Sequence, residues 1–172
     1  MEKVLQLSAL EKYDFEYTME KIDAAKIILQ VCDSLKGKMD KFGIRLETEL
    51  DQTFIRADKE NMVIILVNLL DNAIKYNKAQ GSIHVKSYTA DDDACIEISD
   101  TGIGISVDAK EKIFEPFYSA DKARSRQNGG SGVGLSLVKK LAEAQGGTVA
   151  LIKTGPEGST FRLCFPVYKE NI

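Results

Sequence analysis

The sequence of 172 residues contains no tryptophan, only three prolines and a single histidine, and it has no long hydrophobic run. Its longest apolar segment, residues 62–67, is far shorter than the roughly 20 residues that a membrane-spanning helix needs. No signal-peptide pattern opens the chain. We therefore expect a soluble, cytoplasmic polypeptide without direct membrane contact, and the pattern is equally compatible with the cytoplasmic part of a larger membrane-bound protein.

Cysteine and positive charge are also scarce. Cys32, Cys95 and Cys164 lie far apart in the sequence and lack the close pairing of a zinc site, so we expect three partly buried thiols and a reducing compartment. The formal net charge of -3 and a pI near 5.3 argue against the basic surface of a nucleic-acid-binding protein. The composition predicts no nucleic-acid partner, although residues 122–126 form a local basic cluster.

The length and the 44% hydrophobic content fit one globular domain, residues 19–172, preceded by the end of a helix and a linker over residues 1–18. Hydrophobic periodicity predicts helices and strands that alternate, with the strands joined mostly by hairpins. This order favours an α+β sandwich over a parallel βαβ sheet. The predicted helices are residues 22–42, 58–76 and 135–145, and the predicted strands are residues 44–50, 53–57, 82–89, 94–99, 148–153 and 160–167.

The second predicted helix carries a polar stripe. Asn68, Asn72, Lys75 and Tyr76 are spaced at i, i+4, i+7 and i+8, so their side chains project from roughly one face of an otherwise apolar helix. A solvated stripe would more often contain Glu and Lys than two Asn. Amide oxygens are suitable ligands for Mg²⁺ that bridges phosphates, with Lys75 near the phosphate charge.

A carboxylate follows the strand predicted at residues 94–99. Asp100 has the same parity as Ile96 and Ile98, so it should point to the edge of the core, where it needs hydrogen-bond donors. An adenine amine would supply one, and Gly102 and Gly104 would let the backbone approach the base without a Cβ. The alternative is that Asp100 only caps the following turn.

A third segment, residues 129–134, is rich in glycine and opens directly into a helix. Free backbone amides at a helix N-terminus form an anion site, and glycines allow phosphate oxygens to approach closely. The segment is neither a Walker A loop nor a dinucleotide-binding G-x-G-x-x-G pattern. The polar stretch before it is typical of a lid, in which Lys122, Arg124 and Arg126 could approach a terminal phosphate.

The single histidine, His84, lies between Ile83 and Val85 in a predicted strand, so its side chain should point away from the core. We find no carboxylate next to it in the sequence that would serve as a base. His84 is therefore predicted to be a surface residue rather than a phosphate acceptor.

Together, these segments resemble the catalytic, ATP-binding domain of sensor histidine kinases, within the superfamily of gyrase-type topoisomerases, mismatch-repair ATPases and a heat-shock chaperone. Residues 68–76 are similar to the N box of that family and residues 100–105 to its first glycine box. Residues 114–118 resemble the F box, residues 130–135 the second glycine box, and residues 158–161 the terminal glycine segment. The resemblance covers about residues 20–168.

The resemblance implies a two-layer Bergerat ATP-binding fold, with a mixed, mostly antiparallel sheet packed under helices, and it implies ATP and Mg²⁺ as cofactors. Asn72 would be the Mg²⁺ ligand, Asn68 would support the metal and the phosphates, and Asp100 would bind the adenine amine. The implied catalytic residues are Asn68, Lys75, Lys122 and Arg124. The implied nucleotide-binding residues are Asn68, Asn72, Lys75, Tyr76, Asp100, Gly102, Gly104, Ile105, Gly130, Ser131, Gly132, Val133, Gly134, Leu135 and Thr160.

Two positions depart from the family pattern or leave it open. Ser119 stands where many members carry an Arg, so a cation for phosphoryl transfer would fall to Lys122 or Arg124. The hydroxyl that supports the adenine aspartate could belong to Ser159 or Thr160; strand parity groups Ser159 with Phe161, but the loop geometry at Gly158 can break parity.

The family's phosphoacceptor histidine normally lies on a separate dimerising helical hairpin, and residues 1–12 look like the tail of its second helix. The predicted partners are therefore that dimerisation and phosphoacceptor domain of the parent protein and the receiver domain of a response regulator. Two other functions share the pocket: a non-catalytic nucleotide-sensing ATPase module and an anti-sigma-type serine kinase.

Overall fold

The computed structural model describes residues 17–116, residue 118 and residues 134–170. The helix end and linker predicted for residues 1–18 therefore lie almost entirely outside the described residues. The elements are β1 (Met19–Asp23), α1 (Ala24–Ser34), α2 (Lys36–Lys41), β2 (Arg45–Leu50), β3 (Phe54–Asp58), α3 (Lys59–Lys75), β4 (Ser82–Ala90), β5 (Asp93–Asp100), α4 (Val107–Lys110), α5 (Gly134–Ala144), β6 (Thr148–Gly155) and β7 (Gly158–Pro166).

The predicted α+β sandwich is confirmed. Five strands form one sheet in the order β2-β4-β5-β7-β6, in which only the β2–β4 pair is parallel. The mixed, mostly antiparallel character follows from the hairpins β4–β5 and β6–β7, because a short turn can join only antiparallel neighbours. β1 and β3 form a separate two-stranded antiparallel sheet.

Helices α3 and α5 pack on one face of the large sheet, and α1 packs beside α3. α3 contacts both α1 and α5 and packs on β5, while α5 packs on β6. The side chains between the two layers are apolar and fully buried, among them Ile28, Leu66, Ile98 and Leu141. The core therefore lies between the helices and the sheet. Among the described residues, no helix is long and apolar enough to cross a membrane.

The single helix predicted for residues 22–42 is wrong in two respects. Ile22 and Asp23 belong to β1, where Ile22 pairs with Ile55 of β3. The carboxylate of Asp23 then accepts a hydrogen bond from the Lys26 amide at 3.2 Å, so Asp23 is the N-cap and the helix starts at Ala24. A break at Leu35 separates α1 from α2. The apolar spacing continues across both features, which is why helical periodicity alone did not reveal them.

The expectation of three separate thiols is also wrong. Cys95 of β5 and Cys164 of β7 are direct cross-strand partners with Cα atoms 4.2 Å apart, and they form a disulfide. Cys32 is free and buried in α1. The two bridged cysteines are 69 residues apart in the sequence, so only the strand register brings them together.

Candidate nucleotide site

Helix α3 presents the polar stripe that the sequence predicts. The helix begins after Asp58, whose carboxylate accepts a hydrogen bond from the Asn61 amide at 3.0 Å, as is typical of an N-cap. Leu66 and Leu70 on the inner face are completely buried, which fixes the rotation of the helix about its axis. The half-buried residues of the stripe are Asn68, Asn72, Lys75 and Tyr76.

The side chain of Asn68 has a defined orientation. Its Nδ2 donates a hydrogen bond to the carbonyl of Ile64, one turn earlier in α3, at 2.7 Å. The bond uses an amide hydrogen, so the Oδ1 atom remains an acceptor for other groups. Mg²⁺ takes oxygen ligands and keeps several waters beside phosphates, and the amide oxygens of Asn68 and Asn72 are of this type. The stripe therefore fits the predicted metal chemically.

Other metal sites are not evident in residues 17–116, 118 and 134–170, where no group of three or more His, Cys, Asp or Glu side chains is placed to hold an ion. A carboxylate cluster is not needed when phosphate oxygens provide most of the negative charge around Mg²⁺. The amide stripe on α3 is thus the candidate metal site that the described residues offer.

Asp100 ends β5 in a half-buried position, on the face where Ile96 and Ile98 are buried. Its Oδ1 accepts hydrogen bonds from the backbone amides of Gly102 at 2.9 Å and Ser159 at 3.2 Å. Burial raises the pKa of this carboxyl, while the two backbone hydrogen bonds act in the opposite direction. A carboxylate offers about four acceptor positions, so Asp100 can also accept a hydrogen bond from an amine such as that of adenine.

The structure places Ser159, and not Thr160, beside Asp100. The hydroxyl of Ser159 lies 2.8 Å from Oγ1 of Thr154, and its amide is the donor to Asp100. The hydroxyl of Thr160 instead lies 2.8 Å from that of Ser99. Ser99 has the opposite parity to Asp100 in β5, so Thr160 belongs to the other face of the sheet. The expected contact of Thr160 with the nucleotide stays a prediction.

Gly102 and Gly104 are needed for contacts within the protein. From the sequence, we instead expected them to let the backbone approach an adenine base. A Cβ on Gly102 would lie 2.1 Å from the carbonyl oxygen of Tyr76, and one on Gly104 would lie 2.0 Å from that of Gly155. Gly104 also has a positive φ of 75°, which favours glycine. The two glycines therefore seat the segment after Asp100 between the end of α3 and the β6–β7 hairpin.

Ile105 is attached to the same hairpin. Its backbone amide donates a hydrogen bond to Oγ1 of Thr154 at 2.7 Å, and that hydroxyl contacts Ser159. A continuous hydrogen-bonded path thus runs from Ile105 through Thr154 and Ser159 to Asp100. We did not identify Thr154 from the sequence, because nothing in its local pattern indicates that the hairpin packs against the first glycine segment.

The predicted phosphate end is described only in part. Gly134 and Leu135 begin helix α5, as expected for the end of the second glycine segment. Gly130, Ser131, Gly132, Val133, Lys122 and Arg124 lie outside the described residues.

The start of the F box is anchored on the core. The rings of Phe114 and Phe161 meet edge to face with centroids 6.2 Å apart, and Nζ of Lys139 lies 5.7 Å from the centroid of Phe114. Edge-to-face aromatic pairs and cations over ring faces are both favourable contacts. Phe114 therefore connects the segment that leads toward the predicted lid with β7 and α5.

His84 lies in β4 between the fully buried residues Ile83 and Val85, and it is half-buried with the orientation predicted by strand alternation. The structure adds a partner that the sequence did not reveal: Nε2 of His84 lies 3.2 Å from a carboxylate oxygen of Glu49 on β2. The expectation that no carboxylate accompanies His84 held only for its sequence neighbours, because the parallel pairing of β2 and β4 sets His84 opposite Glu47, two residues from Glu49.

Comparison with known proteins identifies the family. The family described as "Histidine kinase-, DNA gyrase B-, and HSP90-like ATPase" matches residues 57–169, which include α3, Asp100 and α5. The circadian input-output histidine kinase CikA of Synechococcus elongatus is 32% identical over 167 residues, which are 95% of this chain and 22% of CikA. The chain spans 22% of the length of CikA and 44% of that of the sensor-like histidine kinase SenX3 of Mycolicibacterium smegmatis.

Solved structures agree with this match. Full-length ShkA in complex with AMPPNP superposes with a TM-score of 0.86 at 26% identity, over 99% of this chain and 35% of ShkA. The catalytic domain of the histidine kinase ThkA, in a nucleotide-free form, has a TM-score of 0.76 at 25% identity, over 86% of this chain and 95% of that domain. The fold is therefore the Bergerat fold, and the chain belongs to the histidine kinase-, DNA gyrase B- and HSP90-like ATPase family as a catalytic ATP-binding domain of the sensor histidine kinase type.

Proposed function

We propose that this domain binds Mg²⁺-ATP and donates the γ-phosphoryl group to a histidine on the dimerisation domain of a two-component sensor kinase. The observation that carries the proposal is the pairing of two features within the matched region. The first feature is the half-buried carboxylate of Asp100 at the end of β5, which accepts hydrogen bonds from two backbone amides. The second is the pair of side-chain amides of Asn68 and Asn72 on α3, the helix that packs against β5. One feature suits adenine and the other suits a metal-bound triphosphate.

Each residue would have a distinct role. Asp100 would accept a hydrogen bond from the adenine amine, with Ser159 and Gly102 fixing its orientation. Asn72 would be the protein ligand of Mg²⁺, and Asn68 would support the metal and the phosphates. Lys75 and Tyr76 would contact the nucleotide, while the amides before Leu135 would bind phosphate oxygens.

Catalysis would consist mainly of positioning and charge neutralisation. ATP supplies the phosphoryl group and Mg²⁺ neutralises its charge, so phosphoryl transfer asks little covalent chemistry of the protein. Asn68 and Lys75 would orient the phosphates from α3, and Lys122 or Arg124 would bring a further positive charge. The base for the acceptor histidine would come from the dimerisation domain. Alone, the domain would bind nucleotide and show little turnover.

The natural partners would be the dimerisation and phosphoacceptor domain of the same protein and the receiver domain of a response regulator. The proposal of these two partners rests on the resemblance to sensor kinases and on the likeness to CikA and ThkA. The nucleotide, the dimerisation domain and the regulator would meet this domain in the cytoplasm.

Calorimetric titration with Mg²⁺-ATP tests the nucleotide assignment. Asn72→Ala should weaken Mg²⁺-ATP binding by at least about tenfold and make the remaining affinity nearly independent of Mg²⁺, since it removes a metal ligand. Asp71→Ala is a matched control, because Asp71 is the next residue on α3 but pairs with Lys38 at the surface. Equal affinities for the parent chain and Asn72→Ala, with and without EDTA, would contradict the metal assignment.

A further inference from the structure

Asn77 is a buried polar residue at the junction between α3 and the segment that follows Asp100. It comes directly after Tyr76, the C-cap of α3, and only 6% of it is exposed to solvent. A buried amide side chain needs hydrogen-bond partners, because losing them costs the full desolvation of the group. The partners of Asn77 therefore show what its position achieves.

The Asn77 amide closes a ring of hydrogen bonds with Ser82 and Thr101. Its Nδ2 donates to the carbonyl of Ser82 at 3.0 Å, and its Oδ1 accepts from Oγ1 of Thr101 at 2.9 Å. The hydroxyl of Thr101 in turn accepts from the Ser82 amide at 2.9 Å. The ring connects three separate places in the chain: the end of α3, the start of β4 and the residue after Asp100.

Two glycines show how closely these segments approach. A Cβ on Gly81 would lie 2.2 Å from Oδ1 of Asn77 and 2.7 Å from Oγ1 of Thr101. Gly102 follows Thr101, and a Cβ on Gly102 would lie 2.1 Å from the carbonyl oxygen of Tyr76. The amide of Ile103 donates a hydrogen bond to this same carbonyl at 3.2 Å. The junction is therefore closely packed on both sides of the ring.

The junction lies between the two halves of the nucleotide site. α3 carries Asn68 and Asn72 at the metal end, and it terminates at Tyr76 and Asn77. On the other side, Gly102 donates directly to Oδ1 of Asp100 at 2.9 Å. A shift of the Thr101–Gly102 segment relative to α3 would thus move the adenine carboxylate relative to the metal-binding amides.

We propose that Asn77 is a positioning residue that, through Thr101, sets the spacing between the metal-binding face of α3 and the adenine-binding carboxylate of Asp100. The inference rests on the proposed function, because it assumes that these two ends bind one nucleotide. The Asn77 side chain reaches across the junction through its hydrogen bonds to Ser82 and Thr101. A ligand that spans both ends depends on the spacing, whereas a ligand that uses only the adenine end does not.

The test compares two ligands on matched variants. Mg²⁺-ATP engages both ends, and adenosine engages only the adenine end. Thr101→Val removes the hydroxyl at nearly constant shape, Thr101→Ser keeps it, and Asn77→Ala removes the amide. Ser99→Ala is the control, since it breaks a hydroxyl pair with Thr160 on the opposite face of β5. Calorimetry measures Mg²⁺-ATP affinity, NMR titration measures adenosine affinity, and thermal unfolding verifies that each variant is folded.

We expect Thr101→Val and Asn77→Ala to weaken Mg²⁺-ATP binding about tenfold, which is the effect of one or two lost hydrogen bonds. The same variants should weaken adenosine binding by less than about threefold. Thr101→Ser and Ser99→Ala should retain the parent affinities. Equal losses for both ligands, or no loss for either, would overturn the inference. If the parent chain itself does not bind Mg²⁺-ATP, the proposed function fails instead. If Asn77→Ala does not fold, Thr101→Val alone decides the outcome.

Discussion

The backbone amide of Ser159 donates a hydrogen bond to Oδ1 of Asp100 at 3.2 Å, across the neighbouring strands β7 and β5. Together with the amide of Gly102, it orients a carboxylate whose pKa burial raises. The carboxylate is therefore held in a fixed orientation by the protein backbone. Such an acceptor needs little reorganisation when a ligand amine arrives, which favours affinity.

The first prediction concerns the stability cost of this carboxylate. Because burial raises the pKa of Asp100, its protonated form stabilises the fold, and this contribution is present below about pH 4 and lost as pH rises through the raised pKa. Asp100→Asn keeps an acceptor for both amides without a charge. We expect Asp100→Asn to raise the melting temperature at pH 7, with the gain shrinking as pH falls toward 4.

The same substitution should weaken adenine nucleotide binding by about tenfold to a hundredfold, because a hydrogen bond to a charged group contributes about 1.5–3 kcal/mol. Thermal unfolding from pH 4 to 7 and calorimetry at pH 7 measure the two effects. Asp108→Asn, in the exposed first turn of α4, is the control for a lost surface carboxylate. A variant that is less stable at pH 7, or that binds nucleotide as the parent does, would contradict the assigned role.

The second prediction separates the two hydroxyls left open by the sequence. Ser159→Ala removes the hydroxyl that contacts Thr154 next to Asp100, whereas Thr160→Val removes one that contacts Ser99 on the other face. We expect Ser159→Ala to weaken ATP binding severalfold, in line with the loss of about one hydrogen bond. Thr160→Val should leave the affinity unchanged in the same titration. The reverse order would assign the supporting hydroxyl to Thr160.

The third prediction concerns the only histidine. His84 pairs with Glu49 in the sheet and lies on the strand face opposite to the buried Ile83 and Val85. An exposed pair of this kind contributes little to stability. His84→Gln should therefore leave Mg²⁺-ATP affinity and phosphoryl transfer to a separate dimerisation domain unchanged. Phosphate recovered on His84 in the parent chain, by mass spectrometry at neutral pH, would make it an acceptor after all.

The fourth prediction concerns the Cys95–Cys164 disulfide. A cross-link between residues 69 positions apart should stabilise the domain by about 4 kcal/mol in the chain-entropy description. We expect the oxidised chain to lose stability when a reductant is added, and a Cys95→Ser, Cys164→Ser double variant to be insensitive to it. Cys32→Ala, which leaves the bridge intact, should respond like the parent. Identical denaturant midpoints for the parent with and without reductant would contradict this account.

Cytoplasmic disulfides are uncommon because cellular thiols keep cysteines reduced. If the domain lies in the cytoplasm as proposed, Cys95 and Cys164 should be thiols in cells that are alkylated before lysis. They should form the bridge only in purified protein that is exposed to an oxidant such as oxidised glutathione. Mass spectrometry of the alkylated peptides distinguishes the two states. A bridge already present in rapidly alkylated cells would place the domain in an oxidising compartment.

The sequence predicted the features that depend on local periodicity. The extent of α3, the stripe that contains Asn68 and Asn72, and the parity of Asp100 all follow from residue spacing along one element. The features that it missed depend on contacts between distant segments. β1 forms because it pairs with β3, the disulfide forms because Cys95 and Cys164 share a register position, and Glu49 reaches His84 because β2 lies beside β4.

The glycines show the same limit. Their positions indicated a nucleotide site, but the sequence could not tell which atoms a Cβ would meet. In the structure these atoms are the carbonyl oxygens of Tyr76 and Gly155, for Gly102 and Gly104 respectively. The hydrogen-bond ring of Asn77 was invisible for the same reason, since its members are separated by up to 24 residues.

Transfer of phosphate to histidine tests the central claim most directly. The chain would be mixed with the dimerisation domain of its parent protein, Mg²⁺ and ATP labelled at the γ-phosphate, and the products separated by their stability to acid and alkali. We predict a label on the dimerisation domain that is lost in acid, is retained in alkali and is absent with Asn72→Ala. An acid-stable label on serine, or no label while ATP is bound, would contradict assignment as a histidine kinase catalytic domain.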